Sequence, residues 1–433
     1  MELRYVRDKM LAQQEPPLGQ KGAVKWLREN LFSGWLNTIL TIAGALALFF
    51  LVKASLPWFL HGVWNAKSLA ECRAVIAANW GPGQSGACWA LIHERWNQFL
   101  YGFYPSDAYW RPNLTFVLLL AAIAPVLFER VPRQMLILTL AFPALAIWLL
   151  WGGTVWRPVV GMAGFGLIYL GYHLLNDRVG AVVSMAIGFI LACLWWLWLG
   201  GYATNVLAAA LMIELPRVES DKFGGFLLAF VIGVGAIVAS LPLGIILALG
   251  RKSDMPLVRL LCVGFIEFVR GVPLITMLFT ASLLLQYFLP RGTQFDLILR
   301  VDILVTLFSA AYIAEVIRGG LAALPRGQYE AADALGLNYW QAQRQIIMPQ
   351  ALKISIPGIV SSFIGLFKDT TLVTFVGLMD PLKGITQVVR ADINWKGIYW
   401  EPYMFVGAIF FVFCFGMSRY SMYLERKLKR DHR

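Results

Sequence analysis

Apolar residues fill most of this chain in runs of about twenty, interrupted by short polar stretches. A helix that crosses a bilayer needs roughly 20 predominantly apolar residues. Spans are read at about 34–53, 113–129, 135–152, 159–175 and 180–200, and a second series at about 224–249, 257–289, 299–319, 351–379 and 400–423. The run 257–289 is too long for one straight crossing and contains Arg270-Gly271-Val272-Pro273. It is read as two half-helices joined by an irregular stretch, because proline removes a helical donor and clashes with the turn before it. The expected fold class is all-α, a polytopic membrane protein with about ten transmembrane helices.

Basic residues set the orientation. Under a ten-span reading, Arg130/Arg133, Arg178, Arg251/Lys252/Arg259, Arg326/Arg344 and the basic tail 425–433 share one side with the N-terminal segment 1–33. The positive-inside rule makes that side the cytoplasm, with both termini there. Residues 1–33 are too long and too charged for the n-region of a cleaved signal peptide. Within them Trp26, Leu27 and Leu31 share a helical face, which predicts an interfacial helix around 23–32.

The loop 54–112 falls on the outer side and is too rich in aromatic residues to be disordered. It carries Cys72 and Cys88, read as a bridge stapling a small outer cap, with two unpaired thiols as the alternative. Cys193, Cys262 and Cys414 lie in apolar spans and act as small hydrophobes. The polar stretch Pro216–Lys222 marks a join, dividing an N-terminal extension (34–223) from a second part (224–424).

Composition agrees with the pattern. Of 433 residues 59% are hydrophobic and 14% charged, against ~45–50% and ~25% in soluble domains. The net charge of +12 comes without a basic stripe interleaved with aromatics, so no nucleic-acid partner is expected. No C-x-x-C occurs, and neither metal nor cofactor is expected. The chain also lacks G-x-x-x-x-G-K-[ST], H-E-x-x-H and G-x-S-x-G, the loops and sites of ATP hydrolysis, zinc proteolysis and acyl transfer. It is read as a non-enzyme that cannot hydrolyse ATP alone.

The most specific stretch is polar. Residues 326–350 read RGQYEAADALGLNYWQAQRQIIMPQ, between two apolar spans. Small residues Ala331, Ala332 and Ala334 give a first short helix a slim face, and Gly336 can take backbone angles that a bend needs. Tyr339, Ala342 and Ile346 recur at helical spacing, and Pro349 discourages uninterrupted continuation into the next span.

This segment resembles the E-A-A-x3-G-x9-I-x-L-P signature of ABC importer permeases at Glu330, Ala331, Ala332, Gly336, Ile346 and Pro349, with Met348 for leucine. Residues 224–424 resemble a type-1 ABC transmembrane domain of the polar amino-acid subfamily. Glu267-x-x-Arg270-Gly271-x-Pro273-Leu274, Ala314–Gly320 and Lys368-Asp369-Thr370-Thr371-Leu372 carry that likeness. With its five-span extension the chain is similar to the longer permease of glutamate/glutamine/aspartate/asparagine and general L-amino-acid systems. The resemblance implies a bacterial inner-membrane location and a coupling helix at 326–350. The implied partners are two copies of an ABC ATPase, a second and different permease chain, and a periplasmic amino-acid-binding protein, all beside membrane lipid.

Charges within apolar spans cost at least ~2.5–3.5 kcal/mol on the insertion scale. Glu267, Arg270, Glu315, Lys368 and Asp369 are such charges. Glu267 and Arg270 lie three apart on one face, spaced to pair locally. With the Gly271/Pro273 break and the hydroxyls of Thr370 and Thr371, they are read as a polar substrate pathway. The alternative is that these charges only brace helices or lie near an interface. An ion-gradient-driven secondary transporter is the competing function, although paired broken helices in both halves are not evident.

Overall fold

The computed structural model describes residues 22–128, 130–284, 287, 296–389 and 391–430. The expectations for residues 1–21, for part of 285–295 and for 431–433 lie outside the described residues. Packing divides the chain into two compact units, Met1–His93 and Glu94–Arg433.

In the first unit, α1 (Gly22–Asn30) is amphipathic and α2 (Trp35–Leu60) is apolar on all sides. Such a helix has lipid as its solvent and satisfies its own backbone. After it, Ser68 accepts a hydrogen bond from the Glu71 N–H at 3.2 Å and starts α3 (Leu69–Trp80). Cys72 on α3 is bonded to Cys88, with Cα atoms 5.9 Å apart. Both cysteines are buried, as are Ile76, Ala87 and Leu91 of the same unit.

The second unit begins with short helices, α4 (Ala90–Glu94, across the boundary) and α5 (Trp96–Tyr101). The spans α6 (Trp110–Leu127), α7 (Leu136–Trp151) and α8 (Trp156–Val179) follow. α9 (Ala181–Leu194) continues through a π-helical turn into α10 (Gly200–Ala210). The all-α expectation misses one detail, a two-stranded antiparallel ribbon pairing β1 (Gly153–Thr154) with β2 (Glu214–Leu215). Gly152 permits it: its φ is +70°, and a Cβ there would come within 2.1 Å of the Pro216 carbonyl.

The remaining helices are α11 (Gly225–Arg251), α12 (Pro256–Gly271), α13 (Leu274–Phe279), α14 (Leu297–Ala322), α15 (Arg326–Ala334), α16 (Tyr339–Ala342), α17 (Met348–Asp369) and α18 (Trp400–Arg430). α11 and α14 pack closely through small residues, as membrane helices do when lipid removes the hydrophobic drive between them. Gly244 lies against Ile313 and Ala310, and Gly320 lies against Ser355 and Ala351 of α17. Nine helices among the described residues are long and apolar enough to cross a bilayer. The run 257–289, expected as the other crossing, holds the broken pair α12–α13, with Val272 and Pro273 extended between its halves; neither half is long enough to cross a bilayer by itself, and residues 285–286 and 288–289 lie outside the described residues.

Candidate functional site

The 326–350 segment is a bend built by two adjoining caps. At the end of α15 the Gly336 N–H donates to the Asp333 carbonyl at 2.9 Å and the Leu337 N–H donates to Ala332 at 3.2 Å. These paired bonds form a Schellman motif, whose C′ residue must be left-handed, and Gly336 has φ +69°. Two residues later Asn338 opens α16 with a capping box. Its side chain accepts from the Gln341 N–H at 2.9 Å while Gln341 Oε1 accepts from the Asn338 N–H at 3.0 Å.

Ala332 is buried at 1% exposure, while Glu330 and Ala331 face out. At the bend Leu335, Tyr339 and Trp340 are 73%, 53% and 61% exposed. Ile346 packs on a core with Ile313, Ile317 and Ile347. Pro349 does not stop the helix: a π-helical turn at Gln343–Ile347 precedes it, and the proline falls in the first turn of α17. There its missing N–H is no loss.

The charges sort differently from their spacing. Glu267 and Arg270 do not pair with each other. Arg251 Nη1, at the end of α11, donates to Glu267 Oε1 at 2.8 Å and lies 3.3 Å from Glu315 Oε2. Arg270 Nη1 is 3.9 Å from Glu315 Oε2, and Arg318 reaches Glu315 Oε1 at 2.5 Å through Nη2 and 2.7 Å through Nε. Glu315 is therefore a hub for three arginines.

The cause is tertiary: α12 lies across the end of α11. Val258 and Cys262 approach Gly250, and Ile266 shares a buried cluster with Ala248. The network consequently sits at the same membrane end as the bent segment. Beside it, Lys252 Nζ is 3.4 Å from the Tyr329 hydroxyl of α15 and 5.4 Å from its ring centroid.

Lys368 and Asp369 are elsewhere. Phe367 and Thr370 flank Gly233 of α11, roughly 27 Å along that helix from Arg251 at 1.5 Å per residue. The structure thus does not bring them together with Glu267 and Arg270. Thr370 Oγ1 donates to the Phe367 carbonyl at 2.8 Å and Thr371 Oγ1 to Lys368 at 2.9 Å, closing the end of α17. Neither Lys368 nor Asp369 has an ion pair or side-chain hydrogen bond with a described residue. Gly271 has ordinary backbone angles and open space where a Cβ would go.

In the sequence Arg251 and Lys252 read only as charges flanking a span, and Asp302 does not stand out from its apolar run. Asp302 faces Gly235 inside the second unit, and its Oδ1 is buried without a hydrogen-bond partner. Its only signal in the sequence is its charge within that run.

A chain of broken and unbroken crossing helices, with a polar bent segment exposed at one membrane end, has the architecture of a multi-pass transport permease. A family model described as binding-protein-dependent transport system inner membrane component matches residues 240–430. Over 429 residues, 99% of either chain, the sequence is 68% identical to the glutamate/glutamine/aspartate/asparagine transport system permease protein BztC of Rhodobacter capsulatus. It is 41% identical, over 94% of this chain and 93% of the other, to the inner membrane amino-acid ABC transporter permease protein YhdY of Escherichia coli. A solved amino acid ABC transporter shares 29% identity over 46% of this chain and 90% of its own, with a TM-score of 0.41. The chain belongs to the family of binding-protein-dependent transport system inner membrane components, the permease subunits of ABC importers. That membership favours the ATP-driven reading over the ion-gradient one.

Proposed function

We propose that this permease carries polar L-amino acids across the bacterial inner membrane: glutamate, glutamine, aspartate, asparagine or a broader set. Two copies of an ATPase subunit power it, a second and different permease chain completes the passage, and a periplasmic amino-acid-binding protein delivers the cargo. The observation that carries the reading is the bent segment. It is locally rigid, yet it leaves Leu335, Tyr339 and Trp340 exposed, as a surface awaiting a partner would. The ATPase docks there, which places residues 326–350 and both termini in the cytoplasm and the disulfide-bearing loop in the periplasm. The substrate class follows from the 68% identity to a permease named for those four amino acids.

Of the residues read as a pathway, Lys368 and Asp369 keep that role. Neither is held in an ion pair with a described residue, and together they offer what an amino acid's carboxylate and ammonium require. Glu267, Arg270 and Glu315 are assigned instead to the network at the cytoplasmic end.

Vesicles holding the assembled complex test both parts. Uptake should require ATP and persist when sodium and proton gradients are collapsed; gradient-driven uptake without ATP would sink the proposal. Asp369→Asn should reduce uptake by different factors for acidic and amide substrates while sparing basal ATP hydrolysis. Equal losses for every substrate would remove Asp369 from the pathway and leave the permease reading intact.

A further inference from the structure

The second unit holds a cavity of about 1410 Å³, open along one side, between α6, α7, α11, α14 and α18. Along α11 it runs from Phe226 to Ala239, roughly 20 Å at 1.5 Å per residue. Its lining is mostly apolar, with a few charged side chains set into it. Apolar walls with a few placed polar groups are the usual make-up of a small-molecule site.

The charges sit at two depths. Arg157, Arg217, Glu219 and Asp296 line the end away from Arg251. Asp302 lines the inner part, level with Gly235 and so roughly 14 Å along α11 from Phe226. A Cβ on Gly235 would come within 2.8 Å of its Oδ2 and 2.9 Å of its Oδ1, so the carboxylate occupies the space a side chain would need. Oδ1 is buried and has no hydrogen-bond partner among the described residues. The nearest arginine in sequence, Arg300, lies two positions away on another face of α14, and it donates to the Ser282 carbonyl at 2.9 Å. The cavity also has an aromatic wall. Phe116, Phe230 and Phe413 line it, with the Phe230 ring centroid 5.5 Å from that of Phe116 and 4.8 Å from that of Phe413.

We propose that this cavity binds an organic ammonium ion with an apolar body, of the arylalkylammonium class, through Asp302. A carboxylate within an apolar span costs at least ~2.5–3.5 kcal/mol on the insertion scale and marks a partner or a task. The basic side chains that line the cavity, Arg157 and Arg217, stand at its other end, so the partner comes from outside the chain. An ammonium N–H supplies the donor that the carboxylate lacks, aromatic faces attract the charge, and the apolar walls take the body. A free amino acid does not fit, because its own carboxylate would find no cation at that depth. A bare metal ion does not fit either, since the described residues gather no group of three His, Cys, Asp or Glu. The inference is independent of what the permease carries.

The test is equilibrium binding of tritiated 2-phenylethylammonium to the assembled complex in nanodiscs, without ATP or binding protein. Counts that excess unlabelled amine does not displace are subtracted, which removes partition into lipid. One displaceable ligand per copy of this chain is expected. 2-Phenylethanol keeps the body without the charge, and ethanolamine keeps the ammonium without the body. Each should compete about tenfold more weakly or worse. Asp302→Asn should weaken binding about tenfold, while Arg217→Gln at the far end should leave it within about twofold. Wild-type complex with no displaceable binding overturns the proposal. So does equal competition by either analogue, or an Asp302→Asn complex that binds as wild type does. If Asp302→Asn fails to assemble, the competition series on the wild type decides.

Discussion

Gly336 gives the sharpest test of the bent segment, because its two conceivable roles predict opposite rankings. Its φ of +69° lies in the left-handed region, and a Cβ added there would meet nothing within 4 Å. Substitution therefore creates no clash within this chain. It costs only conformation, about 1–2 kcal/mol for an ordinary L-residue and less for asparagine, which tolerates that region. The strain falls on a solvent-exposed turn, where it is relieved by opening the Asp333–Gly336 and Ala332–Leu337 bonds. A shift of 1–2 kcal/mol should lower the ratio of bent to opened segment roughly 5- to 30-fold.

The assay is binding-protein-stimulated ATP hydrolysis by the reconstituted complex, normalised to assembled chains. The expected order is Gly336 above Gly336→Asn above Gly336→Ala, with Gly336→Val lowest because β-branching adds to the strain. Gly271→Ala is the control. It belongs to another glycine-bearing motif, but its backbone is ordinary and its Cβ space open, so it should fall within about 0.5 kcal/mol of wild type. If Gly336→Asn were as impaired as Gly336→Ala, or worse, side-chain bulk against the partner would be the cause. The reasoning from backbone conformation would then be wrong.

Two further outcomes follow from the same geometry. Glu315→Gln leaves Arg270 and Arg318 without their carboxylate and Arg251 with Glu267 alone, at a site only 21% exposed, and should destabilise the purified complex by roughly 1.5–3 kcal/mol; Glu267→Gln, at 55% exposure with one partner, should cost about 1 kcal/mol or less, and equal melting shifts would refute the hub. Reduction of the Cys72–Cys88 bridge by an impermeant reductant on intact cells should expose both thiols to labelling, whereas labelling only after permeabilisation would place that loop on the cytoplasmic side.

The spans were legible because a bilayer imposes one strong rule, a long apolar run with its backbone bonded internally. The break at Val272–Pro273 and the bend at Gly336 were legible for a local reason: proline and glycine act on their own turn. The charge partners were not. A spacing of three places Glu267 beside Arg270 on one helix, but the crossing of α12 over the end of α11 gives Glu267 to Arg251 and Arg270 to Glu315. No local pattern encodes a crossing angle. The ribbon at Gly153–Thr154 was invisible for a related reason, since two residues carry no alternation to read and their partner strand lies far along the chain. Pro349 shows the converse, a correct local rule absorbed by a π-helical turn that sequence does not announce.

These placements also decide where motion at the bend can go. Lys252 touches Tyr329 of α15, and its neighbour Arg251 holds Glu267 of α12 and Glu315 of α14. A displacement of the bent segment therefore reaches three helices through two consecutive residues. α11 and α14 are joined by backbone-close contacts such as Gly244 with Ile313, and close-packed helices move together rather than deform. α12 has a different constraint, because its continuation is broken at Val272–Pro273, where the extended backbone can absorb rotation. The rigid pair would carry a shift towards Gly233, which Phe367 and Thr370 flank beside Lys368 and Asp369. The hinge would let α12 stay with its arginine and glutamate partners while α13 reorients. Any coupling between the two polar sites would have to run through helix α11 and not through contact between charges, because they lie roughly 27 Å apart along that helix.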